Sequence, residues 1–160
     1  MVEIKLTQNK IAIIDDEDLE LVKDYKWCAM KTRNTYYAIA YIKGSGKKNS
    51  KRMLLHRLVL GANTGQQIDH INGDGLDCRK ENLRFCNYAE NQQNQAPKIG
   101  TSKYKGVHWN KVNKKWLVQI RNNGKREYLG YFKNEIEAAY AYNEAAIKYF
   151  GEFARLNEVE

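Results

Sequence analysis

The feature that most restricts the fold is residues 115–132, "KWLVQIRNNGKREYLGYF". Trp116, Val118 and Ile120 alternate with Lys115, Leu117, Gln119 and Arg121. A strand satisfies that period of two, with one face buried and the other mainly polar. Asn123-Gly124 follows. Both residues tolerate the positive φ of a two-residue hairpin turn, so "REYLGYF" is expected to return as the neighbouring strand. Such a turn sets Arg121 directly across from Arg126, and Gln119 across from Tyr128. Two arginines opposed on an exposed face repel and weaken the sheet modestly. A phosphate bound between them relieves the repulsion.

The sheet is followed by a helix signal. Asn134 with Glu137 three residues on reads as a capping box, Gly151 as a stop, and "EIEAAYAYNEAAIKYF" between them carries alanines on the face that meets the sheet. Three strands and one helix make a module of roughly 55 residues, near the lower size for folding unaided. Residues 98–133 hold 10 basic residues against Glu127 alone, and residues 25–91 hold 12 against 5, whereas residues 1–24 and 134–160 each sum to −4. The formal +8 of the 160-residue chain is therefore gathered in two blocks. That distribution suits an extended polyanion touching two parts of one molecule, most simply nucleic acid.

The polar stretch "NQQNQAPKIGTSK", with the only proline, reads as a linker at 92–103 between residues 1–91 and a module at 104–157. From "YKGVHW" through "KWLVQIR", "REYLGYF" and "EAAYAYNEAAIKYFGEFARLN", the second part resembles the APETALA2 (ethylene-response-factor) DNA-binding domain. The resemblance implies a three-stranded sheet lying in the major groove. Position by position, it makes Lys105, His108, Gln119, Arg121, Arg126 and Tyr128 the candidates for contact with phosphates and base edges. Lys111, Lys114 and Lys115 join them as phosphate partners on charge grounds. Trp109 reads as a packing residue.

In the first part, "IDDEDLELVKDYKW" suits a short helix from about Asp16, with Leu19, Val22 and Trp27 turned inward. "TYYAIAYIK" and "KRMLL" read as a hairpin around "GSGKKNS", a loop without the spacing of a phosphate-binding loop. The chemistry lies in "QQIDHINGDGLDCRKENLRFCNYAEN", residues 66–91. Asp69 offers an oxygen to a hard cation, and the neighbouring His70 offers an imidazole that accepts a proton near neutral pH. Phosphodiester hydrolysis needs both, because water must lose a proton and the charge at phosphorus must be neutralised. Neighbours on a regular strand point to opposite faces. Both residues can act only if the strand ends there, and "NGDG" is a composition that ends strands. "NLRFC" is expected as the return strand, with Asn87 and Glu90 opening a helix.

From "LHRLVLG" through "IDHINGDGLDCRKENLR" to Asn91, this stretch resembles HNH endonucleases, especially phage intron-encoded homing endonucleases with asparagine in place of the final histidine. The resemblance implies a ββα-metal layout, with Asp69 and Asn91 as ligands of one divalent cation, His70 as the base that activates water, and Asn82 hydrogen-bonding the histidine ring. It places Arg79 and Arg84 at the DNA backbone, a structural role being the alternative for Arg84. His56 reads as a helix-start residue beneath the site, with a helper role as the alternative. It also implies ends carrying 5′-phosphate and 3′-hydroxyl groups. Cys78 stands where the family commonly has asparagine, which predicts a change of packing. Oxygen ligands favour magnesium, with manganese an acceptable substitute, over zinc.

The expected architecture is thus α+β: a ββα-metal (HNH) nuclease domain with a β-rich N-terminal extension, then a small three-stranded antiparallel sheet on one helix. The expected function is site-specific cleavage of double-stranded DNA by a monomer or weak dimer that needs no small-molecule cofactor. A DNA-binding regulator with a degenerate nuclease half is the alternative, and an RNA-binding module a third reading, disfavoured because stacking aromatics on the sheet are sparse. The cysteines, Cys28, Cys78 and Cys86, form no CxxC pair and are expected as free thiols. No apolar run approaches membrane-spanning length, so no membrane partner is expected, and the N-terminus lacks a secretory layout. The expected compartment is the cytoplasm of a bacterium or phage-infected host.

Overall fold

Hydrophobic alternation and turn chemistry determine most of the elements. The computed structural model describes residues 1–43, 50–97 and 100–159, so most of the "GSGKKNS" loop lies outside the described residues. The chain divides into two compact units, Met1–Asn87 and Tyr88–Glu160.

In the first unit, β1 (Val2–Lys5) and β2 (Ile11–Ile14) form an antiparallel pair. A 3-10 turn at Asp16–Asp18 leads into α1 (Leu19–Val22), one turn long. Of the three apolar residues expected inside, Val22 and Trp27 are buried and Leu19 is 39 % exposed, because a single turn cannot direct all three inward. Then β3 (Cys28–Lys31), β4 (Tyr36–Lys43) and β5 (Ser50–Leu54) form a second antiparallel sheet with β4 in the centre. The chain continues through α2 (Leu55–Val59) into β6 (Gln67–His70), and β7 (Leu83–Cys86) returns beside β6. Ala12, Ile14, Val22, Ala38, Ala40, Leu55, Cys78 and Leu83 share one core. The N-terminal strands grip the loop between β6 and β7 directly. Ile13 N donates to Leu76 O, Cys78 N donates to Ile13 O at 2.8 Å, and Lys80 N donates to the Asp15 carboxylate. The β-rich extension and the Asp-His segment therefore fold as one body.

The second unit opens with α3 (Tyr88–Gln93), immediately after Asn87. β8 (Val107–Asn110), β9 (Lys115–Asn122) and β10 (Lys125–Phe132) form an antiparallel sheet ordered β10-β9-β8, and α4 (Glu135–Phe150) follows. The register has Arg121 opposite Arg126 and Gln119 opposite Tyr128, as the two-residue turn requires, with Asn123 and Gly124 both at positive φ. The Asn134 side chain accepts from Ile136 N at the start of α4, and Gly151, at φ 53°, ends it. Val107, Val118 and Ile120 pack on Ala138, Ala139 and Ala146. Small side chains let the helix backbone approach the sheet closely.

The segment expected as a linker is partly built into this unit. The Ser102 hydroxyl donates to Glu135 at 2.6 Å and accepts from Tyr104 N, and Thr101 Oγ1 accepts from Trp109 N.

Candidate active site

β6 ends at His70, where the sequence requires a strand to stop if Asp69 and His70 are both to act. Ile71 N still donates to Asn82 O, then Gly73 N turns back to His70 O at 2.9 Å. Asp69 pairs across the hairpin with Arg84, and His70 with Leu83. Both side chains are buried, each 6 % exposed. The Arg84 guanidinium donates through Nε and Nη2 to Asp69 Oδ2 at 2.9 and 2.7 Å, so a cation held by Asp69 shares its carboxylate with this ion pair.

Burial drives the His70 imidazole below the usual histidine range, while the charges of Asp69, Asp74 and Asp77 pull the other way. Burial prevails and the ring stays neutral near pH 7, the form that accepts a proton. Two aromatic rings stand against it. His56, on the first turn of α2, meets His70 edge to face at 4.9 Å between centroids, and Tyr37 of β4 lies 5.7 Å away. Tyr37 and His56 are themselves 5.3 Å apart. His56 is driven down to about 3 by burial and by the neighbouring charges of His70 and Arg57, and its buried Nδ1 has no hydrogen-bond partner among the described residues.

Asn82 serves the loop. Its amide nitrogen donates to Asp77 O at 2.8 Å and to Asn72 Oδ1 at 3.1 Å, and its Oδ1 accepts from Asn72 N. Both amide hydrogens are spent there, so Asn82 clamps the turn that follows His70. Arg79 is held in the same loop, donating through Nε and Nη2 to the two Asp77 oxygens, each at 2.8 Å, and through Nη1 to Glu81. That guanidinium keeps the Asp77 carboxyl below the usual carboxylate range. Cys78 is fully buried in the core, and burial pushes its thiol up to about 12, so it packs as a small apolar residue. Asn91 lies on α3, which belongs to the second unit.

A second cluster occupies the sheet of the second unit. Val118 and Ile120 face the core, so by alternation Lys115, Gln119 and Arg121 of β9 share the opposite face. Arg126 and Tyr128 join it as the partners of Arg121 and Gln119, and His108 as the partner of Leu117. Arg121, Arg126, His108 and Tyr128 are exposed, as is Lys111 in the turn between β8 and β9. Glu127, paired with Ile120, belongs to the helix side. Lys105 is placed differently: its Nζ donates to Gln93 O and to Gln95 O, the latter at 2.8 Å, and burial lowers it to about 8. Trp109 stacks edge to face on Trp116 at 5.0 Å, a packing contact.

Among the residues around His70, sequence patterns did not single out Tyr37, Thr35 or Asn72. Tyr37 looks like any strand tyrosine, and only the fold brings it to the ring.

The family model described as HNH endonuclease matches residues 54–93. That segment is similar to the HNH endonuclease family. An HNH endonuclease of Acanthamoeba polyphaga mimivirus is 29 % identical over 150 residues, covering 93 % of this chain and 75 % of that protein. Protein 3.8 of Escherichia phage T7 is 38 % identical over 63 residues, 39 % of this chain and 52 % of its own length. Dehydration-responsive element-binding protein 2C of Arabidopsis thaliana is 43 % identical over 64 residues, 39 % of this chain but 18 % of its own length. The last likeness hints at an APETALA2-type domain. Among the described residues, no helix is long and apolar enough to cross a membrane.

Proposed function

We propose that this chain is a metal-dependent, site-specific endonuclease of homing type acting on double-stranded DNA. The observation that carries the reading is the end of β6 inside the HNH domain, where buried Asp69 and the neutral imidazole of His70 stand side by side. His70 takes the proton of the attacking water. Asp69, steadied by Arg84, and Asn91 supply the oxygens that hold one divalent cation. HNH nucleases generally use such a metal, and a carboxylate with an amide fits hard magnesium or manganese. When bound, the cation neutralises charge at the scissile phosphate and at the leaving oxygen. Asn82 and Arg79 keep the turn after His70 closed. The open sheet face of the second unit, with Lys111, Lys115, Gln119, Arg121, Arg126 and Tyr128, grips DNA in an APETALA2-like manner.

The test is a supercoiled plasmid carrying the DNA that flanks the coding sequence, incubated with magnesium or with chelator. Wild-type protein is expected to nick or linearise it only with the metal, and His70→Ala protein is expected to bind it uncut. Metal-independent binding with no cutting by the wild type decides instead for a DNA-binding regulator.

A further inference from the structure

A histidine that acts as a base must present one ring nitrogen steadily, yet the torsion that turns its ring has a broad, two-fold profile. Close packing against neighbouring rings restrains that torsion, and two rings stand against His70. Tyr37 lies 5.7 Å from it at an interplanar angle of 47°, and His56 closes the third side of the triangle.

The loop that follows His70 is closed onto the same strand. Gly75 N donates to Thr35 Oγ1 at 3.0 Å, and a Cβ at Gly75 would stand 2.4 Å from Tyr36 O and 2.6 Å from the Tyr37 ring. Only glycine lets the turn lie this close to Tyr37. The Tyr37 phenol is pushed up by burial and by the charges of Asp69 and Cys78, so it stays neutral.

We propose that Tyr37 is a positioning residue for His70: its ring, wedged between His56, His70 and the backbone of Gly75, holds the imidazole at the angle its chemistry needs. Tyr37 lies outside residues 54–93, so the N-terminal sheet completes the active site as well as bracing it. The inference rests on the reading of His70 as the base. A misplacement of about 1 Å at a reacting group costs on the order of a hundredfold.

The test compares Tyr37→Phe, Tyr37→Ala and Gly75→Ala in the full chain, with His70→Ala alongside, using the same plasmid and magnesium. Tyr37→Phe keeps the ring and is expected to cut within about threefold of wild type. Tyr37→Ala is expected to lose on the order of 10- to 100-fold in kcat, with KM and DNA affinity within about twofold. Nitrogen-15 shifts of the His70 ring are expected to change in Tyr37→Ala and to be retained in Tyr37→Phe. If Tyr37→Ala does not fold, Gly75→Ala takes its place: it displaces the same ring and is expected to lower kcat without changing KM. Wild-type kcat in the folded Tyr37→Ala protein, or equal losses in Tyr37→Ala and Tyr37→Phe, would overturn the proposal while a dead His70→Ala leaves the base intact. A His70→Ala protein that still cuts removes the base reading itself.

Discussion

Acid should unfold the first unit through its histidines, and His56 allows that to be measured. Its pKa is 6.5 when exposed and about 3 when folded, because burial and neighbouring charge oppose its protonation. A histidine with a lowered folded pKa binds its proton in the unfolded chain first. Stability is therefore complete above pH 6.5 and is lost as pH falls toward 3. The whole difference is worth about 5 kcal/mol, comparable to the total stability of a small domain. Between pH 6 and 4.5 each unit costs about 1.4 kcal/mol for this residue alone. His70 shifts in the same direction and adds to the slope. Asp77, whose pKa is lowered from 3.8, gives up its share only below this window.

The substitution to make is His56→Phe. It keeps a flat ring against Tyr37 and His70, and it removes a buried Nδ1 that has no hydrogen-bond partner among the described residues. At pH 7 the variant should be as stable as wild type or slightly more so. Urea unfolding at pH 7, 6, 5 and 4.5 reads the effect, in a Trp109→Phe, Trp116→Phe background where Trp27, in the core of the first unit, is the only tryptophan. The slope of unfolding free energy against pH should fall by about 1.4 kcal/mol per unit. An unchanged slope would show that His56 takes up its proton without unfolding and would refute the argument.

Three further outcomes are expected. Arg84→Leu leaves Asp69 buried without its bidentate partner and should cost about 3–5 kcal/mol, part of which Asp69→Asn restores in the double variant; a double-mutant cycle in urea checks this. Arg121→Gln should weaken DNA binding and lower the salt slope of the binding constant by about 0.9, yet raise the melting temperature slightly, because Arg126 no longer faces a like charge. Gly106→Ala should destabilise the second unit by about 3 kcal/mol, since Gly106 sits at φ +77° and an added Cβ would lie 2.1 Å from the Tyr142 ring and 2.7 Å from Gln119 O; thermal unfolding followed by circular dichroism measures it.

How much of this was legible in the sequence depended on how far apart the cooperating residues are. The β9-β10 register follows from alternation and one Asn-Gly turn, signals contained within a few residues, and the structure reproduces the Arg121 to Arg126 opposition. The end of β6 at His70 was likewise readable from "NGDG". Spacing could point to Asn82 but not to what its amide bonds. The turn presents Asp77 O and Asn72 Oδ1 to its two amide hydrogens. Charge could mark Arg79 and Arg84 as cations without naming their anions, and each turned out to have a carboxylate within its own unit. Tyr37 carried no signal at all, because its meeting with His70 depends on the packing of β4 against α2 and the loop of Gly75.

That contrast gives the two clusters different physical characters. At the end of β6 the cations Arg79 and Arg84 are paired with Asp77 and Asp69, so both guanidinium charges are compensated and the chemistry of the site depends on orientation. On the sheet face of the second unit, Arg121 and Arg126 oppose each other, with Lys115 at the other end of the same strand face and Glu127 turned to the other side. Stability alone would not favour that arrangement, since like charges across a strand pair are destabilising. A polyanion lying on the face converts the cost into affinity by counterion release. Substitutions on the sheet should therefore change how binding responds to salt, whereas substitutions around His70 should change turnover at any salt concentration at which the DNA is held.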